Sequence, residues 1–182
     1  ISNNLYNNNL IDIKRFKKLC YDTKFIQSLG FNDKINSLEG YLFPETYFFS
    51  SEQSEEQILK MMVNQFIKVT NNKKLKENRF NFSVHDIITL ASIIEGESMH
   101  KDEMKTISSV FHNRLNKKMY LDANATIQYI IPGKSRRLYN KDLEVDSPYN
   151  TYKHKGLPPG PINSPGLDAL KAAMYPAETN YM

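Results

Sequence analysis

Glu95 is a carboxylate standing where helical spacing calls for an apolar side chain, and a carboxyl group so placed can transfer protons. The segment from Ser83 to Glu95 reads as one amphipathic helix. Ser83 followed by Asp86 resembles a capping box, with Asp in place of the usual Glu or Gln. Val84, Ile87, Ile88 and Ala91 recur at helical spacing and mark the buried stripe. Val84 lies about three turns before Glu95 and Ala91 about one turn before it, so Glu95 shares their direction. Glu97 falls on the opposite side of the wheel, toward solvent. Partial burial and the negative end of the helix dipole both disfavour ionisation of Glu95, so a raised pKa is expected there. A carboxyl group that keeps its proton near neutral pH suits general-acid catalysis. The plainer alternative is a helix that frays at Gly96 and leaves Glu95 solvated, because Gly commonly ends helices.

The elements that must hold this residue follow from the periodicity. Residues 1–9 are an Asn-rich polar lead, expected to be poorly ordered. Residues 10–30 predict one or two short helices ending at Gly30. Leu38 to Phe49 is aromatic-rich and broken by Gly40 and Pro44, which reads as extended chain or short strands. Ile58, Leu59, Met62, Val63, Phe66 and Ile67 define an amphipathic helix between Glu52 and Thr70, and Asn71 to Asn81 is a polar linker. After the Glu95 helix comes another through Met104, Ile107, Val110, Phe111 and Leu115. Asp122 to Ile131 fits helix or strand equally. Asp146 to Gly166 is too rich in Pro and Gly for regular structure, yet Tyr149, Tyr152, Leu157 and Ile162 can anchor it as an ordered loop. Ser164 and Pro165 read as N-cap and first residue of a last helix carrying Leu167, Leu170, Ala173 and Met174. The fold class is α+β, predominantly helical.

Composition removes several function classes. A 182-residue chain that is 40% hydrophobic and 24% charged is ordinary for a globular protein with one sizeable core. The net charge of +4 is modest, and the lysines form no continuous stripe, so no nucleic-acid partner is expected. Cys20 is alone, which excludes an intrachain disulfide and a thiolate cluster. His85, His100, His112 and His154 show no metal-ligand spacing, and no nucleophile elbow of a serine hydrolase occurs. Neither a metal nor a cofactor is expected. No apolar run reaches membrane-spanning length, and a chain starting at Ile1 reads as a piece of something longer.

Four blocks together resemble the endolytic murein lytic transglycosylases, the YceG-like family of bacterial cell-wall enzymes. They are Leu38-Glu39-Gly40-Tyr41-Leu42-Phe43-Pro44-Glu45-Thr46-Tyr47; Ala91 to Ser98 with Val110 to Leu115; Leu121 to Tyr129; and Ser147 to Tyr152 with Gly156 to Ile162 and Pro165-Gly166. The resemblance implies that Glu95 is the catalytic residue and that the bond cut joins N-acetylmuramic acid to N-acetylglucosamine within a glycan strand. Glu95 would protonate the leaving oxygen and then take the proton of the muramic acid 6-hydroxyl, closing a 1,6-anhydro ring. One carboxyl used twice replaces the usual glycosidase pair. A muramidase that lets water attack and a non-catalytic peptidoglycan-binding module are the alternatives.

Flat, amphipathic rings suit sugar faces, so Tyr41, Tyr149 and Tyr152 are candidate substrate-binding residues, with Tyr47 beside them. Glu39 is a candidate cleft carboxylate. Gln128, with Asn124, and Asn150 with Thr151 could bond an acetamido group, although the latter two could equally close a turn. Many family members carry Asp at the position of Asn124, which argues against an ionic role there.

The resemblance further implies a division into residues 1–37, a remnant of a preceding subdomain, and 38–182, a catalytic domain incomplete at its C-terminus. The chain is then a soluble fragment of a protein working at the outer, periplasmic face of the bacterial inner membrane, its membrane anchor lying outside this chain. Expected partners are peptidoglycan glycan strands and the peptidoglycan synthases, the penicillin-binding proteins.

Overall fold

The computed structural model describes residues 1–32, 35–70, 80–131, 133 and 138–182, and helices dominate them. The described residues hold eight α-helices in the order α1 Ser2–Asn7, α2 Ile13–Cys20, α3 Thr23–Ser28, α4 Glu55–Thr70, α5 Val84–Glu97, α6 Met104–Asn116, α7 Asn124–Ile130 and α8 Leu167–Met174, with a 3₁₀ turn at Asn140–Glu144. Among the described residues no β-strand forms, and the aromatic stretch from Leu38 to Phe49 holds a turn and bend at residues 39–42 followed by irregular chain. Two compact units divide the chain, Ile1–Asn71 and Asn72–Met182.

In the first unit α4 packs on α2. Asp12 and Asp22 cap α2 and α3 by accepting the Arg15 and Phe25 N–H groups. The polar lead is not disordered: it forms α1, because Leu5 is buried where α1 meets α2. The expected division after residue 37 falls inside this unit. The Leu38 N–H bonds the Cys20 carbonyl at 2.9 Å, and Tyr41 packs edge-on against Phe66 of α4. Gly40, at φ +83°, supplies the left-handed residue of the turn closed by Tyr41 N–H on Leu38 C=O.

In the second unit α5 is the central element, packed by α6, α7 and α8. The Ser83–Asp86 capping box starts it as expected, and it continues through Gly96 to Glu97. Every side chain from Ile87 to Ile94 is buried, so the helix is covered all round rather than along one stripe. Each fully buried Ile or Leu there contributes roughly 1.5–3 kcal/mol. Val84, assigned to that stripe, is instead 38% exposed, because it lies in the first turn beyond the packed neighbours. The ambiguous stretch after Asp122 is helix α7, and Asp146 to Gly166 is irregular throughout. The last helix starts later than expected. Gly166 is its N-cap, and Ser164 and Pro165 remain in the incoming loop. The polar linker of residues 71–81 lies mostly outside the described residues. Among the described residues, no helix is long and apolar enough to cross a membrane.

Candidate active site

Glu95 sits half-buried in the last turn of α5, with the helix intact on both sides of it. Its Oε2 accepts a hydrogen bond from the backbone N–H of Gly166 at 3.3 Å. Two helix ends therefore meet at this carboxyl: the C-terminal end of α5 and the N-terminal end of α8. The first repels negative charge and the second attracts it. Past the carboxyl, on the surface, Lys101 Nζ pairs with Asp168 Oδ2 at 2.8 Å, and this contact holds the ammonium above and the carboxyl below their ordinary ranges.

The Pro-rich loop reaches Glu95 through a polar seam that sequence reading missed. Ser92, buried inside the Ile-rich helix, accepts the Ile162 N–H on its Oγ at 3.0 Å and the Asn163 Nδ2 on its carbonyl at 2.7 Å. The seam anchors the loop one turn before Glu95 and delivers Gly166 to the carboxylate. A serine within an apolar run was the available signal, since a buried hydroxyl needs a partner.

Glu97 does not point to solvent. It is half-buried and accepts the Ala125 N–H at 2.7 Å, with the Asn124 N–H also bonding it. Burial pushes its carboxyl upward, and those two N–H groups oppose the shift. The helical wheel failed here because α7 covers the side that the wheel assigned to water.

The residues proposed for substrate contact separate into distinct environments. Gln128 is exposed on α7, and the neighbouring Tyr129, 39% exposed, meets Tyr149 with ring centroids 5.0 Å apart. The half-buried Tyr152 donates its hydroxyl to Asn124 Oδ1 at 2.7 Å. Burial first, then the charge of Asp122, pushes that phenol upward. Asn150 is 0% exposed; its Nδ2 donates to the carbonyls of Leu143 and Val145 and its Oδ1 accepts from Tyr152 N–H. Thr151 is buried too, its Oγ1 accepting the Ala123 N–H at 3.0 Å and lying 2.9 Å from Thr126 Oγ1. These polar atoms of Asn150 and Thr151 are thus engaged inside the protein, the arrangement that a loop-closing role requires.

Glu39 and Tyr41 belong to the first unit. Glu39 is half-buried, and burial pushes its carboxyl upward. Tyr41, only 3% exposed, is wedged edge-on between Phe31 and Phe66, so its ring offers no open face to a sugar. The hydroxyl of Tyr47 is tied to the Phe43 carbonyl at 2.8 Å. A cleft of about 950 Å³ in the same unit is lined by Leu5, Pro44, Glu45, Tyr47, Phe48 and Met62 among others. It contains no residue from the Glu95 neighbourhood. Among the described residues no three His, Cys, Asp or Glu side chains converge to hold a metal ion.

The model of the YceG-like family matches residues 4–182. The chain belongs to the YceG-like family. It is 42% identical over 172 residues to an endolytic murein transglycosylase of Bacillus subtilis strain 168, covering 93% of this chain and 47% of that protein. A Streptococcus pneumoniae D39 protein of the same name is 37% identical over 142 residues, covering 75% of this chain and 26% of its own length. This YceG-like chain thus spans half or less of the curated relatives it matches. A crystal structure of a yceG-like protein from Listeria monocytogenes superposes with a TM-score of 0.83 at 38% identity, over 94% of this chain and 60% of that one.

Proposed function

We propose that this YceG-like chain carries the catalytic part of an endolytic peptidoglycan lytic transglycosylase, with Glu95 as its acid and base. The relatives' shared name supports the reaction class. The observation that carries the residue assignment is the half-buried Glu95 carboxyl on the Gly166 N–H at 3.3 Å. In the first step protonated Glu95 donates to the glycosidic oxygen leaving the muramic acid C1. In the second, the carboxylate takes the proton of the same sugar's 6-hydroxyl, whose oxygen closes onto C1 as the 1,6-anhydro ring. The Gly166 N–H then stabilises the negative charge that Glu95 carries between the two transfers, a role worth most where water is scarce. No second carboxylate is needed, since the substrate supplies its own nucleophile.

The substrate is the glycan strand of peptidoglycan, cut internally, which limits strand elongation during wall assembly. The site of action is the outer face of the bacterial inner membrane, beside peptidoglycan synthases. Gln128, Tyr149 and Tyr152, with Tyr129, form the substrate-facing set, because their rings and amide stay exposed or half-exposed, whereas the oxygen of the equally exposed Asn124 is engaged by the Tyr152 hydroxyl.

Incubating the protein with uncrosslinked glycan strands and weighing the product ends tests the reading. Anhydro ends are expected, and Glu95→Gln should lower turnover about 1,000-fold with the unfolding temperature kept. Reducing ends would mean hydrolysis by water. Absence of cleavage by the wild type, with glycan still bound, would identify a binding module and overturn the assignment.

A further inference from the structure

Helix α7 begins without a cap of its own. Its N-cap residue is Ala123, which has no side chain able to accept from the first N–H groups. Glu97 supplies that acceptor from another helix, bonding the Ala125 N–H at 2.7 Å and the Asn124 N–H. Between Glu95 and Glu97, Gly96 brings the two helices together: a Cβ there would lie 2.7 Å from the Ala125 Cβ. Burial of the Glu97 carboxyl and the hydrogen bond from Tyr152 to Asn124 close the same junction. The consequence lies in the register. The turn that carries Glu95 cannot rotate or unwind without breaking the α7 cap two residues later, and α7 cannot slide without losing Glu97.

We propose that Glu97 is a positioning residue, clamping α7 onto the last turn of α5 so that Glu95 and the exposed face of α7 keep one fixed geometry. The face in question carries Asn124, Gln128 and Tyr129. Glu97 acts by accepting hydrogen bonds, with no proton transferred to substrate. Its oxygen is needed and its charge is not. The inference deepens the transglycosylase reading, on which its kinetic arm rests, but its spectroscopic arm stands without turnover.

The experiment compares wild type with Glu97→Gln, Glu97→Ala and Gly96→Ala. It reads kcat on uncrosslinked glycan strands, the unfolding temperature, and the carbon-13 signal of the Glu95 carboxyl. Gln keeps an accepting oxygen, so kcat within about threefold of wild type and an unmoved Glu95 signal are expected. Ala at 97 removes the acceptor, and Ala at 96 wedges the helices apart. Both should lower kcat about 10- to 100-fold and displace the Glu95 signal, the size expected from misplacing a reacting group by an ångström. If Glu97→Ala does not fold, Gly96→Ala beside Glu97→Gln carries the comparison. A Glu97→Gln variant as inactive as Glu95→Gln would make Glu97 a chemical participant and overturn the proposal. An unmoved Glu95 signal in folded Glu97→Ala or Gly96→Ala would overturn it as well. A wild type without turnover would instead defeat the transglycosylase reading, leaving the signal to decide on the clamp.

Discussion

Glu95 and Gly166 are separated by 71 residues in sequence, yet the carboxylate of one accepts the backbone N–H of the other at 3.3 Å. The contact joins the C-terminal turn of α5 to the N-cap of α8, so the two helix ends oppose each other electrostatically across one carboxyl group. The same junction fixes where the Pro-rich loop passes, because Ser92 holds Ile162 and Asn163 just before Gly166 is reached.

The Gly166 N–H can be removed with little disturbance to the backbone. Gly166 has φ −78°, within the range of proline, and its N–H is spent on Glu95 rather than on α8. Gly166→Pro should therefore lower kcat about tenfold or more, because it removes the hydrogen bond and sets the proline Cδ against Glu95 Oε2. Gly166→Ala keeps the donor, and its Cβ would stand 3.7 Å from Glu95 Oε2, an ordinary contact. Its kcat should stay within about twofold of wild type. Equal losses in the two variants would show that chain geometry matters here and the hydrogen bond does not.

How much of this was legible beforehand depends on the range of the interaction. The capping box, α4, α6 and the irregular Pro-rich loop follow from residues within a few positions of one another, and each was readable. Glu95 stood out because a carboxylate broke an apolar repeat. Gly166, Ser92 and Asn163 did not, since their roles exist only once distant segments meet. Glu97 was assigned to solvent for the same reason: a helical wheel knows the period of its own helix but not which neighbours arrive. Tyr41 and Tyr149 have the same side chain and lie in equally aromatic segments, yet one is core and the other half-exposed. Local composition does not distinguish a ring that packs from a ring left half-exposed.

Asn150 provides a case where an apparent binding residue should behave as a structural one. Replacing it with Ala leaves the carbonyls of Leu143 and Val145 and the N–H of Tyr152 without their partner in a buried loop. The expected loss is about 3 kcal/mol, and a fall of about 10 °C in the unfolding temperature. KM for glycan, measured on folded protein at low temperature, should change by less than about twofold. A large rise in KM with unaltered thermal stability would return Asn150 to the substrate.

Gly96→Ala should reverse the usual sign of a helical substitution. In an exposed helix interior, Ala in place of Gly stabilises by about 1 kcal/mol. Here the added methyl would meet the Ala125 Cβ at 2.7 Å, an atom fixed to the backbone and unable to swing aside. Overpacking of that kind costs about 1–3 kcal/mol, so the net effect should be destabilising. Urea unfolding of the two proteins decides the sign, and a more stable variant would mean that α7 yields easily.

The carboxyl of Glu97 makes stability depend on pH in a direction that can be checked. Burial raises its pKa above the ordinary glutamate value, the two α7 N–H groups offsetting only part of the effect. A carboxyl raised on folding contributes stability that is fully present below its unfolded pKa. That contribution disappears as pH climbs through the higher, folded value. Glu97→Gln has no proton to lose, so it lacks this dependence. The stability of the Gln variant relative to wild type should therefore increase between about pH 4 and pH 7. Urea titrations of both proteins at the two pH values measure the difference directly. A relative stability that is flat, or that falls with pH, would mean that the N–H groups of α7 outweigh burial and that the clamp is strongest when Glu97 is charged.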